Sequence, residues 1–304
     1  MSTRARTLLV DGSSLIYRAF FSTPDTVRAP DGTPVNAAHG FMGMLSRIVS
    51  AHDPQELACA SDESWRPEWR VALLPEYKAH RLDAGAAQAE AEEALAFQMP
   101  LLFEILRGVG VPVVGLPDYE AEDVIGTLAE RAAAGGGGVA IVSGDRDLFQ
   151  LVRDPDVWVL YPSKGVADLV RVDEAYIAAR FGIPGRAYAD FAVLRGDPSD
   201  GLPGVRGIGD KTAAQLLGRH RSLEGVVEAA MTGPGTGALG KVRQQLDYVE
   251  RAVQVVTIPR TLPIPPVDLT RPRGEAPEET VRLAERHGLG GALTRLAAAL
   301  RGRG

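Results

Sequence analysis

Short apolar strands alternate with helical patterns through the first half of the chain, and this alternation constrains the fold most. The candidate strands are Thr7–Val10, Glu56–Ser61, Val111–Gly115, Val139–Ser143 and Val157–Tyr161. Helical patterns lie between them at Asn36–Ala51, Phe97–Gly108 and Tyr119–Ala134, the last with Asp118 as its candidate cap. This order is typical of βαβ units. The sequence therefore predicts an α/β fold with a parallel twisted sheet flanked by helices.

The second half of the chain has a different character. From about Val172 the strand patterns stop, and helical patterns alternate with loops rich in Gly and Pro. Thr261–Pro277 is a proline-rich connector, and Glu278–Leu300 predicts an amphipathic helix. We therefore expect an α/β core over 1–172, an appended helical region over 173–255, and a C-terminal connector and helix over 256–304 that pack back on the core.

The composition excludes several classes of protein. The 304 residues are 45% hydrophobic and 24% charged, which is ordinary for a globular chain. The single cysteine, Cys59, excludes a disulfide framework and a cysteine-based metal site. No apolar run approaches the roughly 20 residues needed to cross a bilayer. We expect a cytoplasmic protein that acts away from the membrane.

Acidic side chains follow three of the predicted strands. Asp11 follows the first strand, Asp62 the second, and Asp145 and Asp147 the fourth. Because ligands bind outside the carboxyl ends of parallel strands, we expect these acids to converge. Converging carboxylates repel one another unless cations neutralise them, and oxygen ligands suit Mg²⁺ or Mn²⁺. Nine acids are candidate metal ligands: Asp11, Asp62, Glu120, Glu122, Asp123, Asp145, Asp147, Asp197 and Asp200.

Each acid taken singly also has an ordinary explanation. Aspartate after a strand is often a turn or cap residue. Acids in a first helical turn, such as Glu120, Glu122 and Asp123, complement the helix dipole. The formal charge of −6 is unusual for a nucleic-acid binder, whose usual signature is a basic face. Carboxylates that bind cations would account for this charge, so it does not exclude DNA or RNA.

A glycine-rich run before a helical pattern predicts a site for phosphate. Gly204, Gly207 and Gly209 permit close approach of the backbone to a ligand. The next helix would present free N–H groups to an anion, with Lys211 and Thr212 in its first turn. The pattern is that of a helix–hairpin–helix clamp, which holds a nucleic-acid backbone without reading bases. A plain glycine-rich loop is the less favoured interpretation.

Two cations follow Asp62 in the segment Pro75–Arg81. If this segment is helical, Lys78 and Arg81 are three residues apart and share a face. There they would hold a phosphate and neutralise charge that develops during its reaction. A lone pair of this kind usually marks only a solvated face, so its weight depends on the surrounding motifs. The neighbouring Ala84–Ala96 predicts a solvated helix or a mobile segment.

These motifs, in this order, resemble the 5′-nuclease (flap endonuclease) superfamily. The chain most resembles the N-terminal 5′–3′ exonuclease domain of bacterial DNA polymerase I, here as a stand-alone protein. The resemblance covers nearly the whole chain. It is carried by Asp11, Asp62, the acidic helix start, Ser143–Asp147, Pro75–Arg81 and Gly196–Thr212. It implies a PIN-like α/β nuclease core, a helical gateway or arch at about 65–96, and a helix–three-turn–helix DNA-binding module.

The resemblance also implies roles for individual residues. Asp11, Asp62, Glu120, Glu122, Asp123 and Asp145 would hold the first of two metal ions or its waters, and Asp147, Asp197 and Asp200 the second. Lys78 and Arg81 would contact the reacting phosphodiester, so the implied catalytic set is Asp11, Lys78, Arg81, Asp145 and Asp147. Tyr17 would stack on a terminal base. The implied DNA-binding set is Tyr17, Arg70, Gly204, Arg206, Gly207, Gly209, Lys211 and Thr212, with K⁺ at the helix–three-turn–helix.

The implied function is two-metal hydrolysis at 5′ ends or flaps of duplex DNA, in replication and repair. Partners would be flapped, nicked or 5′-ended DNA, RNA–DNA primer hybrids and a separate DNA polymerase. Two departures stand out, Glu122 where relatives have Asp and Gly201 where they more often have Asn. Two alternatives remain. A binding protein on this fold would have lost metal ligands, and a PIN-type ribonuclease would lack the clamp.

Overall fold

The structure is a computed structural model that describes residues 5–82, 85–163 and 165–302, with only the backbone of 86–90. Within these described residues, six strands form one sheet in the order β3-β2-β1-β4-β5-β6, and β1 to β5 are parallel. β6 runs antiparallel to β5. The predicted α/β fold with a parallel sheet is confirmed, and the short edge strand β6 was not predicted. The strands are β1 Thr7–Asp11, β2 Glu56–Ala60, β3 Val113–Val114, β4 Val139–Val142, β5 Val157–Tyr161 and β6 Val170–Val172.

Thirteen α-helices accompany the sheet in the part of the chain that the structure describes. Short 3₁₀ turns lie at Ala79–Arg81, Asp147–Leu151, Gly185–Ala187 and Pro198–Asp200. The helices are α1 Gly12–Ser22, α2 Asn36–His52, α3 Glu68–Leu73, α4 Ala86–Gly108, α5 Ala121–Ala134, α6 Glu174–Phe181, α7 Tyr188–Arg195, α8 Asp210–His220, α9 Leu223–Thr232, α10 Gly237–Arg243, α11 Leu246–Val256, α12 Glu278–Arg286 and α13 Gly290–Arg301.

Alternate residues of β1 enter two different cores, one on each face of the sheet. Leu8 and Val10 pack with α1, α2, α4, α12 and α13. Leu9 packs on the opposite face with α5 and with α7 to α11. This alternation is the period of two that a strand imposes on its side chains. The C-terminal helical region therefore shares a core with the sheet, which fixes it relative to the strand ends.

The order of strands creates a crevice between β1 and β4. The chain leaves β1 for β2 on one side, whereas β4 and β5 extend the sheet on the other. Val10 lies opposite Val142 in the register of the two strands. Asp11 and Ser143 therefore come at the same level, at the carboxyl ends of neighbouring strands. This is the position where open parallel sheets bind their ligands.

Three local predictions were wrong. Asp118 does not cap α5, because Glu120 is the cap and forms a capping box with Asp123. Lys78 has a φ of 50° and precedes a 3₁₀ turn, so it does not share an α-helical face with Arg81. The predicted C-terminal helix is two helices, since the chain turns at Gly288 with a φ of 68°.

The segment Ala84–Ala96 was predicted as a solvated helix or a mobile segment. Asp83 and Ala84 lie outside the described residues, and α4 runs from Ala86 to Gly108 with Pro100 inside it. No described helix is long and apolar enough to cross a membrane.

Candidate active site

A cleft with a volume of about 830 Å³ opens at the carboxyl ends of the central strands. The cations Lys78 and Arg81 line it together with Tyr17. The other two candidate ligands, Asp123 and Asp147, are buried beside it. The fold thus brings acids from five separate segments to one place. The candidate ligands that line the cleft are Asp11, Asp62, Glu120, Glu122, Asp145, Asp197 and Asp200.

Asp11 is held at the junction of β1 and α1. Its carboxylate accepts hydrogen bonds from Ser14 N at 2.9 Å and from Ser143 Oγ at 2.6 Å. Burial, followed by the negative charge of Asp62, raises the pKa of Asp11 to about 7. An aspartate in this setting is stabilised when it binds either a proton or a cation.

Asp62 joins the end of β2 to the start of α5. Its carboxylate accepts a hydrogen bond of 2.6 Å from Ala121 N in the first turn of that helix. Its own backbone N–H donates to Ser13 Oγ at 3.3 Å. The first turns of α1 and α5 are therefore both tied to Asp62, which places their acids around the same cleft.

Arg70 organises the acids at the start of α5. Its side chain is completely buried, and it donates hydrogen bonds of 2.6 and 3.0 Å to the Asp123 carboxylate. It also bonds Glu120 and lies 3.3 Å from Glu122. A guanidinium in this position is not accessible to DNA. The prediction that Arg70 contacts DNA was therefore wrong, because its partners lie inside the protein.

Glu120 and Asp123 are thus already neutralised by protein cations. Glu120 accepts hydrogen bonds from Tyr77 Oη at 2.6 Å and from Lys78 Nζ. Asp123 uses its oxygens for Arg70 and for the backbone N–H of Glu120. Of these two acids, Glu120 lines the cleft and Asp123 does not. This arrangement suits Asp123 to holding Arg70, and its role as a metal ligand stays a prediction.

Glu122, Asp145 and Asp147 form the group best suited to a cation. One carboxylate oxygen of each lies within 4.8 Å of the others. Burial raises the pKa of all three side chains, and neighbouring carboxylates raise it further. Asp145 Oδ1 also accepts the backbone N–H of Asp147 at 2.9 Å, which fixes the turn after β4. This set of oxygen donors fits a hard divalent cation.

Asp197 and Asp200 enter the cleft from the turn after α7. Asp197 accepts the N–H of Ser199 at 3.0 Å and lies 3.2 Å from Arg195 Nη2. Asp200 Oδ1 lies 3.2 Å from Arg81 Nη2. The next residue, Gly201, has a φ of 72°, and a Cβ there would lie 2.3 Å from the carbonyl oxygen of Glu76. Both observations explain why glycine is well suited to this turn.

Lys78 and Arg81 reach the cleft from a turn and not from a helix face. Lys78 is buried, and its backbone N–H donates to Asp200 O at 2.9 Å. Burial alone would lower the pKa of Lys78, but Asp200 and Glu120 raise it above its ordinary value. The side chain of Arg81 is 38% exposed and donates to Ser199 O at 2.9 Å. Lys78 therefore stays charged beside the acids, and Arg81 is the more accessible of the two cations to a ligand.

The glycine-rich loop that the sequence predicts to be a clamp lies directly before α8 and runs into its first turn. Gly204 and Gly207 have φ values of 70° and 82°, and Arg206 between them is exposed. Gly209 precedes α8, and Lys211 and Thr212 lie in its first turn.

Three residues that sequence reasoning missed hold this loop. Tyr248 Oη accepts from Gly204 N at 3.0 Å, Gln245 Oε1 accepts from Arg206 N at 3.0 Å, and Lys241 Nζ donates to Gly207 O at 2.8 Å. No local sequence signal identifies them, because each lies more than 30 positions from its partner.

Comparison with known families decides what kind of protein this is. Residues 6–182 match the model of the 5′–3′ exonuclease N-terminal resolvase-like domain, and residues 183–278 match that of the 5′–3′ exonuclease C-terminal SAM fold. The chain belongs to the 5′–3′ exonuclease family. It is therefore a nuclease, and the resemblance stated from its motifs is confirmed.

Whole-length relatives agree with this assignment. A 5′–3′ exonuclease of Streptomyces coelicolor is 46% identical over 95% of this chain and 98% of its own length. A 5′–3′ exonuclease of Mycobacterium tuberculosis is 41% identical over 98% of each chain. The DNA polymerase I of Mycobacterium bovis is 39% identical, but the match covers 84% of this chain and 27% of that protein.

Solved structures with the same fold have low sequence identity to this chain. The bacteriophage T5 D15 flap endonuclease, in a complex with DNA and metal ions, has a TM-score of 0.70 at 14% identity over 97% of both chains. Human GEN1 with Holliday junction DNA has a TM-score of 0.62 at 16% identity, over 96% of this chain and 72% of that one. These likenesses establish the shared fold.

Proposed function

We propose that this member of the 5′–3′ exonuclease family hydrolyses phosphodiester bonds near 5′ ends or flaps of duplex DNA with two divalent cations. One observation carries the proposal. Carboxylates from five segments line the same cleft as two cationic side chains, and the glycine-rich clamp follows that cleft's Asp200 by four residues. A cleft with both charges fits a metal-bound phosphate, and the clamp fits the backbone of a duplex.

Mg²⁺ or Mn²⁺ fits the donor set, which consists of carboxylate oxygens. Glu122 and Asp145, with Asp11 and Asp62 nearby, would hold one ion. Asp147, whose carboxylate lies within 4.8 Å of both, would hold the neighbouring ion with Asp197 and Asp200. When bound, the ions supply Lewis-acid stabilisation of the reacting phosphate and lower the pKa of a bound water. The extra methylene of Glu122 does not keep it from the site, since its carboxylate lies in the group with Asp145 and Asp147.

The chain's own cations position the substrate. Arg81 is partly exposed at the cleft, so its guanidinium is suited to a phosphate oxygen. Lys78 is buried against Glu120 and Asp200, so it balances their charge and adds positive potential at the site. Tyr17 lines the same cleft and presents an aromatic ring on which a terminal base can stack.

The clamp would hold the duplex at a distance from the cut. Gly204, Arg206, Gly207 and Gly209 offer backbone and charge, and Lys211 and Thr212 add donors at the start of α8. Contacts of this kind go to phosphates, so substrates would be selected by shape and not by base sequence. A K⁺ ion at this loop stays a prediction, as do the domain limits 172/173 and 255/256.

The proposed biological setting is the cytoplasm, where replication and repair leave 5′ flaps, nicks and RNA–DNA primers. A separate DNA polymerase would create or fill the gap on which this nuclease acts. The other candidate, a binding protein on the same fold, is disfavoured because every candidate ligand position carries a carboxylate.

An end-labelled duplex with a 5′ flap tests the proposal. Cleavage would be measured in EDTA, Mg²⁺ and Mn²⁺, beside blunt duplex, nicked duplex and single strand. We expect metal-dependent cutting near the junction, with little cutting of the single strand. Tight binding of the flap without cutting in either metal would overturn the enzymatic proposal and favour the binding protein. Equal cutting of the single strand would overturn its dependence on structure.

A further inference from the structure

Helix α11 contacts the phosphate clamp at its N-terminal end. Tyr248 Oη accepts a hydrogen bond of 3.0 Å from Gly204 N and donates one of 3.2 Å to Val193 O. Gln245, the residue before the helix, accepts the N–H of Arg206 at 3.0 Å. Two backbone N–H groups of the clamp loop are therefore held by side chains from one end of α11.

The other end of α11 contacts the acids of the active site through Arg70. The Nε of Arg70 donates a hydrogen bond of 3.0 Å to the carbonyl oxygen of Val255 in the last turn of the helix. The same guanidinium binds Asp123 and Glu120. Since a carbonyl in the last turn of a helix lacks an intrahelical partner, Arg70 satisfies it and joins it to the start of α5.

Between these two ends, α11 is a rigid element that can hold the clamp loop at a fixed distance from Arg70. Its 11 residues include neither glycine nor proline and span about 16 Å at the usual rise of an α-helix. Val249, Ala252, Val255 and Val256 pack in the core that α11 shares with α5 and α7. A packed helix of this kind behaves as a rigid element on the scale of an ångström.

The two sets of candidate ligands are tied to the clamp in different ways. Asp197 and Asp200 precede Gly204 by a few residues, and Val205 N donates to Leu194 O at 2.9 Å. Their distance from the clamp is therefore set by the local backbone. The acids of α5 lie more than 80 residues away in sequence, and α11 with Arg70 supplies a direct hydrogen-bonded connection to them.

We propose that α11 is a strut that fixes the clamp relative to the acids of α5, and that Tyr248 and Arg70 are positioning residues that determine which phosphodiester is cut. The inference rests on the proposed nuclease function. If the clamp holds the duplex and the acids hold the ions, the length of this connection sets the number of nucleotides between them. Loosening either end lets neighbouring phosphodiesters reach the acids.

The experiment maps cleavage positions at single-nucleotide resolution on an end-labelled 5′-flap duplex under single-turnover conditions. Tyr248→Phe removes both hydrogen bonds and keeps the ring. The matched control is Tyr188→Phe on α7, since among the described residues the Tyr188 hydroxyl is buried without a hydrogen-bond partner. We expect Tyr248→Phe to raise the fraction of products cut one nucleotide from the main site at least about twofold, and the control to leave the pattern unchanged.

Arg70→Lys tests the other end of the strut, with its folding verified by circular dichroism and thermal denaturation. A lysine cannot bind Val255 O and three carboxylates at once, so we expect the same spread of products. Wild-type cutting at one main position is required first, and its absence would count against the proposed function instead. The strut proposal is overturned if the wild-type protein cuts at one main position and both folded variants, Tyr248→Phe and Arg70→Lys, give the same distribution of products at a lower rate.

Discussion

Ser143 Oγ donates a hydrogen bond of 2.6 Å to Asp11 Oδ2 and so joins the carboxyl ends of the neighbouring strands β4 and β1. The same hydroxyl accepts the backbone N–H of Asp145 at 2.9 Å. One completely buried serine therefore orients two candidate metal ligands from two strands. Hydrogen bonds behind metal ligands commonly fix their geometry.

Ser143→Ala should weaken the metal site. Asp11 would lose a donor, and the partly buried N–H of Asp145 would lose its acceptor, at a cost to stability of about 1–3 kcal/mol. We expect Mn²⁺ affinity, measured by calorimetry, to fall about 10- to 100-fold, with cleavage falling alongside. Ser46→Ala is the control, because Ser46 is buried in α2 and its hydroxyl donates to the Met42 carbonyl of its own helix. Equal metal affinity in the two variants would contradict the role of Ser143.

The stability of the metal-free protein should depend on the ionisation of Asp11. Its pKa is raised from 3.8 to about 7 in the folded state, mainly by burial. The stabilisation from its protonated form is complete below about pH 4 and is lost as the pH rises through 7. In EDTA we therefore expect a lower melting temperature at pH 8 than at pH 5.5. Mg²⁺ should stabilise more at pH 8, because it no longer competes with protons.

Asp11→Asn provides the comparison for this pH dependence. An amide neither ionises nor binds a cation strongly, so both the loss of stability above pH 5.5 and the gain from Mg²⁺ should shrink. Thermal denaturation at the two pH values, with EDTA or Mg²⁺, measures both effects. If the variant has the same pH slope as the wild type, Asp11 does not carry the linked proton.

Asp147→Asn should separate activity from stability. The carboxylate is buried beside Asp145, and burial followed by that charge raises the pKa of Asp147. Neutralising it removes a repulsion, so the melting temperature in EDTA at pH 8 should equal or exceed that of the wild type. Cleavage should fall by about 10²–10³-fold or more, with flap binding kept. The control is Asp156→Asn, because Asp156 lies on an exposed turn. Cleavage by Asp147→Asn at the wild-type rate would exclude Asp147 from the metal site.

Lys211→Ala should weaken duplex binding without changing the chemistry of the cut. Lys211 is exposed in the first turn of α8, where its charge adds to free N–H groups. A plot of log affinity against log salt concentration has a negative slope, and we expect the magnitude of that slope to fall by about one. Arg282→Ala on α12 removes an equal charge from a helix that packs on the other face of the sheet. Identical slopes for both variants would count against the clamp.

The sequence by itself determined the sheet, the acids at its strand ends and the position of the glycine-rich loop before α8. These features depend on local patterns: a strand needs a short apolar run, a parallel sheet collects its strand ends, and a loop with positive φ favours glycine. Asp11, Asp145 and Gly204 lie where such patterns place them. Glu122 also lies with the other acids despite its departure from the expected Asp.

Only the tertiary structure decided the roles of residues whose partners are distant. Arg70 carries the charge of a DNA-binding residue, yet its partners Asp123 and Val255 lie 53 and 185 positions away and enclose it. Lys78 takes a left-handed backbone, and its N–H donates to Asp200 O, so the predicted helical face with Arg81 does not form. A charged side chain contacts solvent or a buried carboxylate according to what packs over it, and for Arg70 that is α11 from the far end of the chain.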